Sequence, residues 1–292
     1  MPDRIVALSV GFPGVCRVLE EGEKLGLWRF IRLEDGTPIP PADVFIFGAW
    51  NPDYNNLIQV LREHHPKAKI GVLWTSSSGE VGFEPMEQAW LAGVIRASAI
   101  DFVWFGHSAL AKLFPEKGFF APYPLCLEPM PALGTRDGDY FTLCVPQTVK
   151  KNIVGQLTAA SIIQTMRPDL KLMTNIEVPR MFHDRLRFAQ VGWLLRPEYD
   201  VLMRGSVLNL HCTWAETFGY QPAEAALMGI PSVTSATIPW AHADQMATPN
   251  DPEGIAQIAR HLMSKTSEEV RDRMVSWARQ ANAILRQRLE SL

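Results

Sequence analysis

The stretch VLNLHCTWAETFGYQPAEAALMGIPSV, residues 207–233, can be read element by element. Its apolar opening, Val207 to His211, predicts a strand. A polar loop follows, carrying Glu216 and Gly219. Pro222 to Met228 predicts a helix, with Pro222 at the first helical position, where its missing N–H costs nothing. Gly229 and Pro231 close a turn, and Ser232 to Thr234 predicts a short strand. Strand, loop, helix and strand in this order make a unit of a parallel sheet. Amides at the start of that helix would attract a phosphate. Glu216 and Glu224, eight residues apart in the loop and the first turn, could flank a hydroxyl-rich ligand as acceptors. A first-turn glutamate is also a favourable partner of the helix dipole, the structural alternative for Glu224.

The same alternation extends in both directions. Arg4–Val10, Asp43–Phe47, Lys69–Trp74 and Asp101–Phe105 read as strands, with helical spacing over Tyr54–His64 and Met86–Ala97. Pro122, Pro124, Pro129, Pro131, Gly134 and Gly138 crowd Ala121–Asp139, which predicts a linker. Beyond it, Tyr140–Val145 and Leu170–Asn175 read as strands and Asn152–Met166 as a helix. Pro252–Met263 and Ser267 to about Leu289 read as closing helices. In the last, Val270, Met274, Trp277, Ala281, Ile284 and Leu285 form one apolar stripe. The expected fold class is α/β: two Rossmann-like parallel-sheet domains with a cleft between them. Residues 1–130 would form the first domain, 131–266 the second, and 267–292 a helix packing back toward the first. Ligands of such sheets lie outside the carboxyl ends of the strands, which directs attention to Gly11–Val15, Thr75–Gly79, Gly106–Ser108, Pro146–Asn152 and Thr213–Gln221.

Composition narrows the function. Hydrophobic residues at 47% and charged residues at 20% describe a packed globular chain rather than a disordered one. A net charge of −3, from 28 basic and 31 acidic residues, gives no global field for a nucleic-acid polymer. Cys16, Cys126, Cys144 and Cys212 lie far apart and form no CxxC pair, so reduced thiols are expected. The short apolar run near the N-terminus reads as a first strand, not a signal peptide, and no apolar run reaches membrane-spanning length. These features lead to an expected cytoplasmic protein without a transmembrane segment.

The segment ETFGYQPAEAALMGIPS, Glu216 to Ser232, resembles the E-x7-E signature of the retaining GT-B glycosyltransferases. Val191–Gly219 and Thr248–Met263 are similar to the stretches that flank that signature in the family. The resemblance covers about residues 140–265, and extends to the N-terminal half only as element order. It implies transfer of a sugar from a nucleotide-diphospho-sugar to an acceptor hydroxyl with retained configuration. The acceptor would be a glycan, a lipid or a small molecule; no separate cofactor and no metal are expected. By the resemblance, Glu216 contacts the sugar hydroxyls and Glu224 the ribose. Amides near Phe218, Gly219 and Tyr220 hold sugar and diphosphate, and Trp193 offers the base a stacking face. Core packing is the alternative for Trp193.

Within CVPQTVKKNIVGQL, Lys151-Asn152 resembles the family's diphosphate-binding pair, but the Arg usually found before it is absent: Gln147 or Thr148 stands there. Lys150 is a candidate substitute, although a lysine does not reproduce a guanidinium fork. His107, after a strand-like run, is a further candidate catalytic residue, with a structural histidine as its alternative. The loop His242–Asp244 is a candidate border of the cleft, and GFPG (Gly11–Gly14) a candidate acceptor loop. Two other functions share the architecture: a sugar- or nucleotide-binding module without catalysis, and a nucleotide-sugar epimerase. Removal of the Glu216 charge is expected to leave stability unchanged or raised. The sugar, the base and the oligomeric state stay open.

Overall fold

The structure, a computed structural model, describes residues 4–11, 13–76 and 85–292. Phe12 of GFPG and residues 77–79 of the Thr75–Gly79 loop therefore lie outside the described residues. The chain divides into two compact units, Met1–Glu128 with Ala278–Leu292, and Pro129–Trp277.

The first unit is built on a parallel sheet of β1 (Ile5–Ser9), β2 (Arg29–Arg32), β3 (Val44–Gly48), β4 (Lys69–Trp74), β5 (Phe102–Phe105) and β6 (Gly118–Phe120). The order is β2-β1-β3-β4-β5-β6. All five residues of β1 and of β3 are buried, the pattern of strands covered on both faces. The helices α1 (Pro13–Lys24), α2 (Tyr54–His64), α3 (Pro85–Arg96) and α4 (Ser108–Leu113) provide crossovers between these strands.

The second unit has β7 (Tyr140–Leu143), β8 (Lys171–Thr174), β9 (Phe188–Gln190), β10 (Asn209–Leu210) and β11 (Ser232–Val233), all parallel, in the order β11-β10-β7-β8-β9. Its helices are α5 (Ile153–Met166), α6 (Arg196–Gly205), α7 (Tyr220–Leu227) and α8 (Pro252–Met263). Leu157, Ala160 and Ile163 of α5 pack with Ile255, Ala259 and Leu262 of α8 in the core beneath β7 and β10. The chain proceeds from β7 outward through β8 and β9, then returns to β10 on the other side of β7. The order thus reverses between β7 and β10, and the loops leaving these two strands diverge above the sheet. A crevice opens at such a switch point.

The proline-rich segment is not a free tether. Ala121, Tyr123 and Leu125 are buried in the first unit, where the Trp104 indole donates to the Ala121 carbonyl and the Tyr123 hydroxyl to that of Trp74. After Glu128 the chain runs along the second unit instead. Gly134 N–H donates to Met228 O at 2.7 Å and Gly138 N–H to Gly205 O at 3.0 Å. Prolines here remove donors from a strand-like path without breaking its packing.

The last helix, α9 (Ser267–Glu290), starts at Ser267 as its sequence suggests. Thr266 is its cap. Its hydroxyl accepts the Glu269 amide at 3.1 Å, while the Glu269 carboxylate accepts the Thr266 amide at 2.9 Å, a reciprocal capping box. Val270, Met274, Ala281 and Leu285 of the expected stripe are buried; Ile284 is 37% exposed, and Ala278 and Leu289 continue the buried line instead. Within the first unit, Asn282 pairs its amide with both backbone groups of Leu125.

Candidate functional site

A pocket of about 440 Å³ occupies the switch point of the second unit. Four segments build it: the loop after β7, the loop from β10 into α7, the turn into α6 with its first residues, and Asn175 after β8. Lys151, His211, Glu216, Gly219 and Tyr220 line it, with Trp193 and Arg196 on the third segment.

Lys151 enters from a 3-10 turn, Val149–Lys151, which ends on Asn152 in the left-handed region (φ 50°, ψ 46°). Asparagine tolerates that conformation better than most residues. Here its side-chain amide also donates to the carbonyls of Cys212, at 3.2 Å, and Pro249, at 2.8 Å. Gln156 completes the brace. Fully buried on α5, it donates to the Lys151 carbonyl at 2.7 Å and accepts the Cys212 amide at 2.8 Å. The Trp214 amide donates to the Lys150 carbonyl at 2.9 Å. The two loops are thus stitched together by backbone and buried amides, and this fixes the separation of Lys151 and Glu216. Gly219 turns the second loop into α7 with φ 77°, and a Cβ there would meet Ile238 at 3.0 Å and Pro222 at 3.1 Å.

At the centre sits a charged triad. The Lys151 ammonium lies 2.5 Å from Glu216 Oε2, and His211 Nε2 lies 2.9 Å from the same oxygen. The three side chains are 10%, 16% and 4% exposed for Lys151, Glu216 and His211. Burial by itself would raise the Glu216 carboxyl. The His211 hydrogen bond, with the charges of Lys151 and His211, outweighs burial and holds it down to about 2. Glu216 is therefore not an uncompensated charge in the free protein. This corrects the expectation that removing it leaves stability intact: the carboxylate is what makes the buried ammonium tolerable.

Glu224 stands in the second turn of α7, with its side chain 13% exposed, and forms an ion pair with Arg196 at 2.9 Å. Arg196 also binds Asp200 at 2.8 Å. A guanidinium therefore does reach this pocket, from α6 rather than from the loop after β7. Gln147, one of the two residues at the place of the absent arginine, accepts the Glu177 amide at 3.3 Å. Trp193 is 84% exposed at the rim, so core packing is not its role.

Other residues singled out from the sequence lie elsewhere. The Phe218 ring is buried against Tyr220 and Trp277, with centroids 4.4 and 5.6 Å away, and its carbonyl accepts the Trp240 indole. Lys150 shares the turn with Lys151 but does not line the pocket. His107 belongs to the first unit, where it precedes α4. Asp244 is engaged by Arg273 at 2.7 Å, with Lys265 and His261 further off, an arrangement that anchors the loop to α9. The cysteines are free, and burial pushes the thiols of Cys144 and Cys212 up to about 11 and 12, which leaves both unreactive. His211, Gln156 and Arg196 were not picked out by sequence reasoning. The available signal was polarity out of place: a histidine closing an apolar strand run and a glutamine inside IVGQLTAASII.

Two parallel α/β units with a pocket at the switch point of the second define a protein of the GT-B fold class. The family model described as glycogen synthase matches residues 143–292, just over half of the chain, and the chain belongs to this family. No curated protein sequence matches it. Among solved structures it is similar to TarM (14% identity, TM-score 0.63), covering 85% of this chain and 54% of TarM. The chain therefore spans about half the length of that protein. It is similar also to sucrose-phosphate synthase from Thermosynechococcus elongatus, at 14% identity and TM-score 0.62, covering 99% and 94% of the two chains. A third likeness is to the structure described as trehalose-6-phosphate from E. coli bound with UDP-2-fluoro glucose, at 10% identity and TM-score 0.61, covering 95% and 76%. Among the described residues no helix is long and apolar enough to cross a membrane.

Proposed function

We propose that the chain is a retaining glycosyltransferase whose donor, a nucleotide-diphospho-sugar, binds in the pocket of the second unit. One observation carries the reading: Lys151, Glu216 and the start of α7 converge at the switch point between β7 and β10. An ammonium beside a helix N-terminus suits a diphosphate. A carboxylate held ionised suits the sugar hydroxyls as an acceptor. Glu224 would take the ribose hydroxyls, with Arg196 giving up part of its pairing, and Trp193 would stack on the base. The family match supports this reading, as does the likeness to a structure described as bound with UDP-2-fluoro glucose.

The chemistry is then positioning plus charge stabilisation. As the anomeric carbon–oxygen bond breaks, negative charge grows on the leaving diphosphate, where Lys151 and the α7 amides can stabilise it. The acceptor hydroxyl of a glycan, lipid or small molecule attacks from the same face, and its proton passes to the leaving phosphate oxygen. No metal is assigned a part. Release of nucleoside diphosphate from a panel of nucleotide sugars, measured in EDTA with and without acceptor sugars, tests this directly. Acceptor-dependent release in EDTA is expected; release that depends entirely on added divalent metal refutes the metal-independent mechanism.

A second reading, a nucleotide-sugar-binding module without transfer, draws on Gln147 and Thr148 standing where the diphosphate arginine is usual, and on Glu224 being already paired. Tight donor binding without turnover against a broad acceptor panel would favour it.

A further inference from the structure

Glu216 Oε2 receives two donors at once, Lys151 Nζ and His211 Nε2. In the donor-site reading, on which this inference rests, that double occupancy does not persist, because Lys151 lines the pocket and is the ammonium that reading assigns to the diphosphate. We propose that His211 is a positioning residue of the donor site: it holds the Glu216 carboxylate in place and ionised through Nε2 when Lys151 turns to the diphosphate, leaving Oε1 for the sugar hydroxyls.

The geometry supports a division of labour. Lys151 carries its charge on a long flexible stem and can exchange one anion for another. His211 cannot. It sits at the end of β10, 3% exposed, with its backbone amide bonded to Val233 O at 2.9 Å. An ionised carboxylate oxygen only accepts, so Nε2 must carry a proton. Nδ1 is buried and has no hydrogen-bond partner among the described residues. Among those residues Glu216 is thus the one hydrogen-bond partner of this ring, and nothing competes for it. An orphaned ring nitrogen is a cost that packing alone does not require, and such groups in native folds call for a reason. Oε1, meanwhile, receives the Thr217 amide at 3.3 Å, a long contact that a sugar hydroxyl can displace. Without His211, departure of Lys151 would leave a mostly buried carboxylate with no charged or ring donor, and Glu216 would protonate or swing away.

The test separates sugar from nucleotide. Calorimetry gives the affinities of UDP, ADP and GDP and of their glucose conjugates; the ratio within each pair reports the sugar subsite. His211→Phe should leave the diphosphate affinity close to that of the unaltered protein and erase the gain from the sugar, a loss of about tenfold or more. His211→Gln, whose amide nitrogen reaches the depth of Nε2, should restore it, and His211→Asn, which stops short, should not. That pair decides the question even if the Phe variant does not fold, since a merely structural role would not separate Gln from Asn through the sugar ratio alone. Unchanged sugar ratios in His211→Phe, or equal ratios in the Gln and Asn variants, overturn the proposal while leaving the donor site standing. Failure of the unaltered protein to bind any of the diphosphates overturns the donor-site reading and this proposal with it.

Discussion

Glu216→Gln preserves the shape of the side chain and removes its charge, and the structure sets the direction of the effect. The carboxyl falls from 4.5 to about 2 on folding. That difference corresponds to about 3 kcal/mol of native-state stabilisation, an upper value because glutamine keeps part of the hydrogen bonding. A depressed carboxyl contributes its stability fully above its unfolded value and loses it as pH falls through the folded one. The stability gap between the unaltered protein and Glu216→Gln should therefore shrink as pH falls between about 4.5 and 2. Other carboxylates titrate in both proteins and cancel in the difference. Urea denaturation suits the measurement, because guanidinium would screen the ion pair. A variant as stable as its parent at pH 7, or a gap that does not change between pH 6 and 3, would refute the account of Glu216 as the anion that compensates Lys151.

The same geometry sets other outcomes. Lys151→Met should weaken nucleoside diphosphate binding by about tenfold or more, and Lys150→Met should change it little; calorimetry with both orders them, and the reverse order would put the wrong lysine in the pocket. Trp193→Ala should alter stability by less than about 0.5 kcal/mol, since the ring is 84% exposed, while weakening nucleotide affinity by about two- to tenfold. Gln156→Leu would leave the Lys151 carbonyl and the Cys212 amide without this partner, costing about 2–4 kcal/mol in urea and loosening diphosphate binding in parallel.

Much of the fold was legible because buried parallel strands write themselves as continuous apolar runs. KIGVLW forms β4 over its full length, and α2 and α8 begin and end where their periodicity and flanking prolines put them. Edge and polar elements were not. β2 reads RFIR with one buried residue, β9 lies at the sheet margin, and α6, RPEYDVLMRG, buries only Met203. Such segments carry too little apolar pattern to announce themselves. At the site, a short spacing within one loop and helix was readable, and it brought attention to Glu216 and Glu224. What sequence could not supply was pairing across distance. Lys151 meets Glu216 65 residues away, Arg196 meets Glu224 28 residues away, and Gln156 holds both loops from a helix that packs mainly through apolar residues. Those meetings depend on β7 and β10 being neighbours, a property of the sheet order rather than of any local motif.

The central claim is that the pocket between the β7 and β10 loops is a nucleotide-sugar site. The direct measurement is a crystal structure of the protein with whichever nucleotide sugar most raises its melting temperature. The account predicts the diphosphate against Lys151 and the amides at Gly219 and Tyr220, the ribose on Glu224 with Arg196 displaced, and the sugar hydroxyls on Glu216 Oε1. A nucleotide bound elsewhere, with Lys151, Glu216 and His211 still closed on one another around an empty pocket, would contradict it.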